Sequence, residues 1–214
     1  SQGVVATPKH YAANFVGDGG RDSFAIDFSE RLLREVYFPT FEAAVREGKA
    51  LSIMAAYNSL NGLPCSCNRW LLTDVLRREW GFDGYVVSDY GSVVHIMTKH
   101  AVAADKTEVA KRAIEAGLDS ELPNTDCFGE HLLAGIKDGR ISKEAVDESV
   151  RRILRVKFEL GLFDDPYVDP EQAEQVCNKA EHRDLALRMA RQGIVLLRNE
   201  NKTLPLPRRI SSLA

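Results

Sequence analysis

The stretch GFDGYVVSDYGS, residues 81–92, indicates the fold class because an apolar run ends abruptly in polar residues. Val86 and Val87 are typical of a buried strand, and Ser88 and Asp89 follow them directly. A carboxylate that follows a buried strand is held rigidly by the backbone and can face a cleft. The sequence therefore predicts a strand over Gly84–Ser88 with a functional side chain at its carboxyl end.

Strands and helices are predicted to alternate on both sides of this stretch. Asp27 and Glu30 fit an N-cap with its reciprocal carboxylate, Asn68 and Ser142 fit two further N-caps, and Pro39 predicts a kink in the first helix. The predicted strands are Val4–Tyr11, Leu51–Tyr57, Gly84–Ser88 and a short one around Gly117–Leu122, and the predicted helices are Phe28–Arg46, Arg69–Trp80, Thr107–Ala116, Cys127–Lys137, one from Ser142 to Gly161, and Arg183–Arg191.

This alternation predicts an α/β protein with parallel strands. A complete (β/α)₈ barrel takes about 250 residues and eight strands, so four units in about 160 residues fit half a barrel. An open doubly wound sheet is the alternative, and the lack of a G-x-G-x-x-G or P-loop sequence weakens it. Residues 1–162 are assigned to the barrel. Residues 163–180 are polar, contain two prolines and are predicted to be a linker, and GIVLLRN (193–199) is predicted to be a strand of a second domain.

Composition excludes several classes of function. The 214 residues are 44% hydrophobic and 28% charged, with a net charge of −3 and a pI of about 6.0, so no basic surface for nucleic acid or membrane is indicated. The apolar runs are too short to span a bilayer. Cys65 and Cys67 have no second pair at zinc-ligand spacing, and ordinary thiols are the better interpretation. Neither chain end resembles a natural terminus, so we expect a piece of a longer protein.

Polar groups follow every predicted strand of the first 162 residues. In parallel α/β folds the carboxyl ends of the strands open on one face, and active sites form there. We therefore expect one site from four strand ends, built from Lys9, His10, Tyr57, Asn58, Asp89, Asp119 and Glu121.

Each of these residues has a purely structural alternative. Asp89 could cap the next helical turn, His10 could be a hydrogen-bonded core histidine, and Tyr57 could be core aromatic. Lys9 could be a solvated surface lysine and Glu121 an exposed loop end. For Asn61-Gly62 we prefer simple turn chemistry.

Several long motifs together resemble glycoside hydrolase family 3. They are PKHYAANFVGDGG, SERLLREVYFPTFEAAV, SIMAAYNSLNGLPC, WLLTDVLRREWGFDGYVVSDYGSV and RILRVKFELGLF, and LALRMARQGIVLLRNENKTLPL resembles the start of that family's second domain. The resemblance implies the second half of a (β/α)₈-type barrel in residues 1–162, the linker 163–180, and the first elements of an α/β sandwich domain in residues 181–214.

The resemblance also implies residue roles. Asp89 matches the catalytic nucleophile, which forms a covalent glycosyl-enzyme in a retaining mechanism. Lys9 and His10 match a pair that hydrogen-bonds sugar hydroxyls, and Met54 and Tyr57 match a Met-x-x-Tyr motif on the next strand. Arg21 is a further candidate for substrate binding.

Two departures from the family bear on specificity. Tyr90 follows the nucleophile where many members have Trp, which leaves an aromatic platform with an added hydroxyl. The residues after His10, YAANFVGDGG, lack the Lys-His-x-Pro-Gly-His-Gly loop of the bacterial N-acetylglucosaminidases. A β-glucosidase acting on terminal β-glucosyl residues is therefore preferred, with a β-xylosidase or another exo-acting β-glycosidase as the alternative.

The general acid/base carboxylate is absent from the matched motifs, since the family's glucosidases carry it as a Glu on the sandwich domain. We therefore expect this chain alone to be catalytically incomplete, with the remainder of the same enzyme as its partner and an oligosaccharide or β-glucoside as substrate. No metal or organic cofactor is needed. An inactive carbohydrate-binding protein and an aldolase with Lys9 as Schiff-base lysine are the rival classes. The sequence does not determine the compartment, although polysaccharide-degrading relatives are often secreted or periplasmic, which favours such a location.

Overall fold

A computed structural model describes residues 3–210 and 212, and it shows a mixed α/β protein. This confirms the α/β part of the predicted fold class. The strands are β1 (Ala25–Ile26), β2 (Ser52–Met54), β3 (Ser59–Leu60), β4 (Leu63–Pro64), β5 (Tyr85–Tyr90) and β6 (Ser120–Leu122). The helices are α1 (Glu30–Leu32), α2 (Pro39–Arg46), α3 (Ser92–Thr98), α4 (Lys106–Ala116), α5 (Glu130–Lys137), α6 (Lys143–Glu159), α7 (Pro170–Val176) and α8 (Ala180–Gly193), together with π-helices over Leu33–Tyr37 and Trp70–Glu79.

A parallel sheet in the order β2-β5-β6 forms the centre of the first part of the chain. Met54 pairs with Val87, and Val87 pairs with Ser120. Ile53 and Val86 are fully buried, as the apolar run in the sequence predicts. Because the three strands run in the same direction, their carboxyl ends lie along one edge of the sheet.

The predicted first strand, Val4–Tyr11, is wrong as a strand. In this segment Tyr11 forms an isolated parallel bridge to Ala55, and Pro8 O accepts from Met54 N at 3.2 Å, but Pro8 has no N–H to continue the ladder. The Tyr11 amide donates to Met54 O at 2.8 Å, and the Ala56 amide donates to Tyr11 O at 2.7 Å. The segment therefore still runs beside β2 and brings His10 to the same sheet edge.

A second small sheet, β1-β3-β4, was not predicted. β3 and β4 form a hairpin whose two loop residues, Asn61 and Gly62, have positive φ values of 50° and 83°. These are the backbone conformations that Asn-Gly pairs supply in tight hairpins. The turn interpretation of Asn61-Gly62 is confirmed.

The π-helix Trp70–Glu79 and the helices α3 to α6 bury apolar residues in the core of the first unit. The π-helix Trp70–Glu79 buries its leucines and Val75, and the Asn68 side chain caps its start by accepting from Leu71 N at 3.1 Å. Each fully buried leucine contributes roughly 1.5–3 kcal/mol through the hydrophobic effect. The fully buried large side chains of the core include Tyr11, Leu33, Phe38, Ile53, Leu71, Leu72, Leu76, Ile96 and Leu118.

Three helix boundaries differ from the prediction. The predicted helix Phe28–Arg46 is divided into α1, a π-helical segment and α2, with Pro39 in the first turn of α2. Its N-cap is Ser29, whose hydroxyl accepts from Leu32 N, so the assignment of Asp27 as the cap is wrong. The predicted helix from Cys127 begins only at Glu130, whereas the Ser142 cap of α6 is confirmed.

The chain divides into two compact units at Pro166/Tyr167, inside the predicted linker 163–180. That segment is not wholly irregular, because Asp169 caps the short helix α7. The predicted strand over 193–199 is wrong: α8 continues to Gly193, and Ile194–Leu197 are exposed and unpaired with any strand among the described residues. No helix in the described ranges is both long and apolar enough to cross a membrane.

Candidate active site

Asp89 and His10 meet at the carboxyl edge of the parallel sheet. The His10 Nε2 atom lies 3.0 Å from Asp89 Oδ2, and the two side chains are 22% and 13% exposed. Asp89 is the fifth residue of β5, and His10 directly precedes the Tyr11 bridge to Ala55. Two strand ends that are far apart in sequence therefore bring a carboxylate and an imidazole together while leaving both open to a ligand.

A β-bulge aims the Asp89 carboxylate. Val87 pairs with Ser120 and Tyr90 pairs with Leu122, so Ser88 and Asp89 together face one residue of β6. The Ser88 hydroxyl donates to Asp89 O at 2.9 Å and accepts from Leu122 N at 2.8 Å, which fixes the bulge. Bulges of this kind re-aim side chains and are common beside active sites.

Asp89 is not a helix cap. The residue that precedes α3 is Gly91, with φ of 70°, and no side chain caps that helix. Asp89 Oδ1 accepts from the adjacent Tyr90 N at 2.7 Å, and Oδ2 faces His10. The capping alternative for Asp89 is therefore wrong.

Tyr57 stands beside Asp89. Its hydroxyl donates to Tyr90 O at 2.9 Å. Burial, followed by hydrogen bonding to Asp89, raises the pKa of Tyr57 to about 12. The hydroxyl consequently stays protonated at neutral pH and remains a hydrogen-bond donor next to the carboxylate.

Two histidines of the α3 region support Tyr57, and the sequence analysis did not select them. His100 Nε2 donates to Tyr57 O at 3.0 Å, and the His95 ring lies 5.9 Å from the Tyr57 ring. Burial, with Lys99 nearby, lowers the pKa of both histidines. Their positions after β5 were the available signal, but α3 itself had not been predicted.

The remaining predicted binding residues differ in how closely they approach Asp89. Met54 is half-buried on β2 opposite Val87, and Tyr90 is 63% exposed directly after Asp89. Lys9 is exposed beside His10, and its amino group has no hydrogen bond or ion pair within residues 3–210. Arg21 lies over the Phe24 ring at 5.7 Å, and no described contact joins it to Asp89.

Three other strand-end residues are structural in this chain. Asp119 precedes β6 and is buried: its carboxylate lies 2.6 Å from Arg77 Nη2 and 2.9 Å from Arg152 Nη1. Glu121 is also buried, and its Oε2 accepts from the Cys127 and Phe128 amides. Asn58 is buried and donates to Ala12 O. The expected convergence of all four strand ends on one site is wrong for Asp119, and Glu121 is not an exposed loop end.

This arrangement has one accessible carboxylate with donors on two sides. In the described part of the chain, no cluster of three His, Cys, Asp or Glu side chains is placed to hold a metal ion. Cys65, Cys67, Cys127 and Cys177 are free thiols. The geometry fits a rigid nucleophilic or electrostatic carboxylate that is flanked by groups able to donate to ligand oxygens.

Active sites of parallel α/β folds form at the carboxyl ends of the strands, and comparison with known proteins identifies the class. The model for the glycosyl hydrolase family 3 N-terminal domain matches residues 1–156. The chain belongs to this family.

Relatives of known name are similar over nearly the whole chain. A periplasmic β-glucosidase of Salmonella typhimurium is 38% identical over 208 residues, covering 95% of this chain and 27% of its own length. A β-xylosidase of Formosa agariphila is 40% identical over 221 residues, covering 99% of this chain and 30% of its own length. The chain thus spans less than a third of the curated relatives that it matches.

The solved structures agree. A β-glucosidase from Erythrobacter marinus is 38% identical, with a TM-score of 0.87 over 95% of this chain and 27% of its own. The Listeria innocua β-glucosidase in complex with glucose is 35% identical, with a TM-score of 0.83 over 94% of this chain and 28% of its own. The fold of the chain is therefore similar to part of the family's β-glucosidases.

Proposed function

We propose that this chain carries the nucleophile of a retaining, exo-acting β-glycosidase, with β-glucosidase as the preferred activity. The observation that carries the proposal is the Asp89 carboxylate at the bulged end of β5, 3.0 Å from His10, in a chain of glycosyl hydrolase family 3. The side chain is 13% exposed, so a ligand can reach it while the bulge keeps it oriented.

In the proposed first step, one Asp89 oxygen attacks the anomeric carbon of the terminal sugar and the bond to the leaving-group oxygen breaks. A second carboxylic acid protonates that oxygen as it departs. In the second step, the same group, now a carboxylate, takes a proton from water, and the water oxygen displaces Asp89 from the anomeric carbon. Two inversions retain the configuration of the sugar.

Each nearby side chain has a proposed part in this chemistry. Lys9 and His10 donate hydrogen bonds to sugar hydroxyls, and Lys9 is free to do so. The protonated Tyr57 hydroxyl lies beside Asp89, where it can donate a hydrogen bond to the carboxylate or to the ring oxygen of the sugar. Met54 and Tyr90 supply apolar surface for the sugar and for its leaving group.

The second carboxylate is proposed to come from the remainder of the enzyme. No described carboxylate pairs with Asp89, and retaining glycosidases place the two carboxyl groups about 5–5.5 Å apart. In the same proposal residues 1–162 are the second half of a (β/α)₈ barrel, 163–180 a linker, and 181–214 the start of an α/β sandwich.

A β-xylosidase is the second candidate. The similarity to the Formosa agariphila β-xylosidase is as high as that to the β-glucosidases, at 40% identity. The two substrates differ by a hydroxymethyl group on the sugar ring, and the methylene of that group alone supports discrimination of about 10–200-fold. A ranking of glucosides against xylosides therefore separates the two activities.

The proposal is tested by trapping the covalent intermediate. The full-length protein that contains this chain is incubated with an activated 2-deoxy-2-fluoro-β-glucoside, digested and mapped by mass spectrometry. We expect the fluoroglucosyl group on Asp89. An Asp74→Asn variant, which alters an exposed carboxylate paired with Arg78, serves as the matched control and should still be labelled at Asp89.

Hydrolysis without an adduct on Asp89, from either the fluoroglucoside or the fluoroxyloside, would overturn the assignment of the nucleophile. Labelling by the fluoroxyloside alone would move the activity to β-xylosidase. Turnover of an aryl β-glucoside by the isolated 214-residue chain would contradict the proposal that its remainder supplies the acid.

A further inference from the structure

One cavity of the first unit includes His100, the residue that contacts Tyr57, in its walls, and no role described so far uses it. It has a volume of about 530 Å³, within the roughly 300–1,000 Å³ range of small-molecule sites. Its polar and aromatic walls include Asp22, Ser23, Phe24, Ser59, Lys99 and His100, and it is called the α3 cavity below.

The α3 cavity lies on the same side of the fold as Asp89. Its walls come from three segments that follow the parallel strand ends: the loop after the Tyr11 bridge, the segment after β2, and the end of α3 after β5. His100 connects it to the active site directly, because its Nε2 donates to Tyr57 O at 3.0 Å. The Tyr57 hydroxyl in turn donates to Tyr90 O, next to Asp89.

The α3 cavity combines unsatisfied hydrogen-bonding groups with an aromatic ring. Asp22 Oδ1 accepts from Ser23 N at 2.9 Å, which leaves the second oxygen without a partner among the described residues. Lys99 Nζ donates to Ser23 Oγ at 3.2 Å and keeps two further N–H groups. The Phe24 ring is 42% exposed.

This chemistry fits a neutral polyhydroxylated ligand. One carboxylate and one ammonium group offer an acceptor and donors without a net charge of either sign, while the ring can pack on the C–H face of a sugar. A groove of about 460 Å³ along α4 provides a contrast, because most of its charged groups already pair with one another, Arg112 with Glu108 and Arg140 with Asp105, and it has no aromatic ring in its walls.

We infer that the α3 cavity binds the leaving-group saccharide, so that the enzyme prefers β-linked oligosaccharides to aryl β-glycosides. The inference rests on the proposed exo-acting activity. In such an enzyme the terminal sugar occupies one side of the cleaved bond, so every further sugar unit lies on the leaving-group side. Lys99 and Asp22 are then specificity-determining residues rather than catalytic ones.

The test compares two substrates with the same terminal sugar. For the full-length enzyme, kcat/KM is measured with laminaribiose and with p-nitrophenyl β-glucoside, and the ratio of the two values is the readout. Lys99→Met and Asp22→Asn each remove a charged hydrogen-bonding group from the α3 cavity. We expect each to lower the laminaribiose-to-aryl ratio about tenfold, the effect of losing one hydrogen bond to a charged group.

Lys111→Met is the matched control, because it removes a lysine of α4 that lines the other groove. It should leave the ratio unchanged. Thermal melting of all variants checks that they fold, and the two cavity variants lie on different segments, so the failure of one to fold leaves the other informative. An unchanged ratio in a folded cavity variant would overturn the inference.

Failure of the proposed function is recognised separately. If Asp89→Ala retains aryl-glucosidase activity, or if wild-type protein cleaves neither glucosides nor xylosides, the exo-glycosidase proposal falls and this inference falls with it. If Asp89→Ala abolishes cleavage but Lys99→Met and Asp22→Asn leave the laminaribiose-to-aryl ratio of kcat/KM unchanged, only the assignment of the α3 cavity is wrong. Should xylosides be the better substrates, xylobiose and an aryl β-xyloside replace the glucose pair.

Discussion

Asp89 lies in β5 and Asp119 directly precedes β6 of the same parallel sheet, and the two aspartates differ in burial and in their charged partners. The Asp119 side chain is fully buried, contacts Arg77 and Arg152, and accepts from Val86 N. The Asp89 side chain is 13% exposed, accepts from Tyr90 N, and has His10 as its one ion-pair partner among the described residues. A fully buried carboxylate that is paired with two arginines holds the fold, whereas one that is held by the backbone and partly exposed can act on a ligand.

The largest expected effect is the loss of activity when Asp89 is replaced. Asp89→Ala should lower kcat for aryl β-glucosides by on the order of 10⁶-fold, as removal of the nucleophile does in a serine protease. Its free energy of unfolding should change by less than about 1 kcal/mol, because the residue is outside the core. Steady-state kinetics and urea unfolding of the full-length enzyme measure both. A large decrease in the free energy of unfolding together with an almost unchanged kcat would show that Asp89 is structural.

Asp119 should show the opposite pattern. Asp119→Asn leaves the partly buried Arg77 and Arg152 without their anionic partner, so we expect a loss of about 3–5 kcal/mol in the free energy of unfolding. Urea denaturation measures this loss, and kcat of the folded fraction should be nearly unchanged. Asp74→Asn, which breaks an exposed pair with Arg78 in the same π-helix, should cost only about 0.3–0.5 kcal/mol. Equal decreases in the free energy of unfolding of Asp119→Asn and Asp74→Asn would show that the buried carboxylate stabilises the fold no more than the exposed one.

The smallest expected effect concerns pH and the histidine behind Tyr57. Burial lowers the pKa of His100 in the folded chain, with Lys99 acting in the same direction and the Tyr57 carbonyl opposing it. The unfolded chain therefore binds this proton more readily than the folded chain, and stability falls as pH drops through the unfolded value of about 6.5.

We expect the free energy of unfolding to decrease between pH 7 and pH 5.5, and His100→Gln to reduce that decrease. The pKa of His95 is also lowered by burial, and this histidine remains in the variant, so the decrease should not vanish. Urea unfolding at both pH values gives the difference. An identical slope in wild type and variant would show that His100 titrates alike in both states.

Much of the parallel sheet could be predicted from the sequence. The apolar run ending at Val87 and the N-caps Asn68 and Ser142 depend on neighbours within a few residues. Asn61-Gly62 was also readable, because its turn depends on the conformations of those two residues alone.

Contacts between residues that are distant in the chain could not be predicted from the sequence pattern. β1 and β3 have two residues each and pair across more than thirty positions, so no local periodicity marks them. The role of Asp119 depends on Arg77 and Arg152, which lie 42 and 33 residues away. His95 of α3 and His100 just after it were missed because a seven-residue helix directly after a strand gives little helical periodicity.

The extra residue in β5 has a consequence for how the candidate active site is encoded. Side chains of a strand alternate between its two faces, so the phase of Asp89 relative to Val87 depends on the number of residues between them as well as on their identity. Deleting Ser88 would keep the carboxylate and its neighbours in the chain but turn it to the opposite face. The orientation of Asp89 thus depends on the number of residues in the strand. An insertion or deletion in this region of an alignment would therefore indicate a change in the site even where the aspartate is retained.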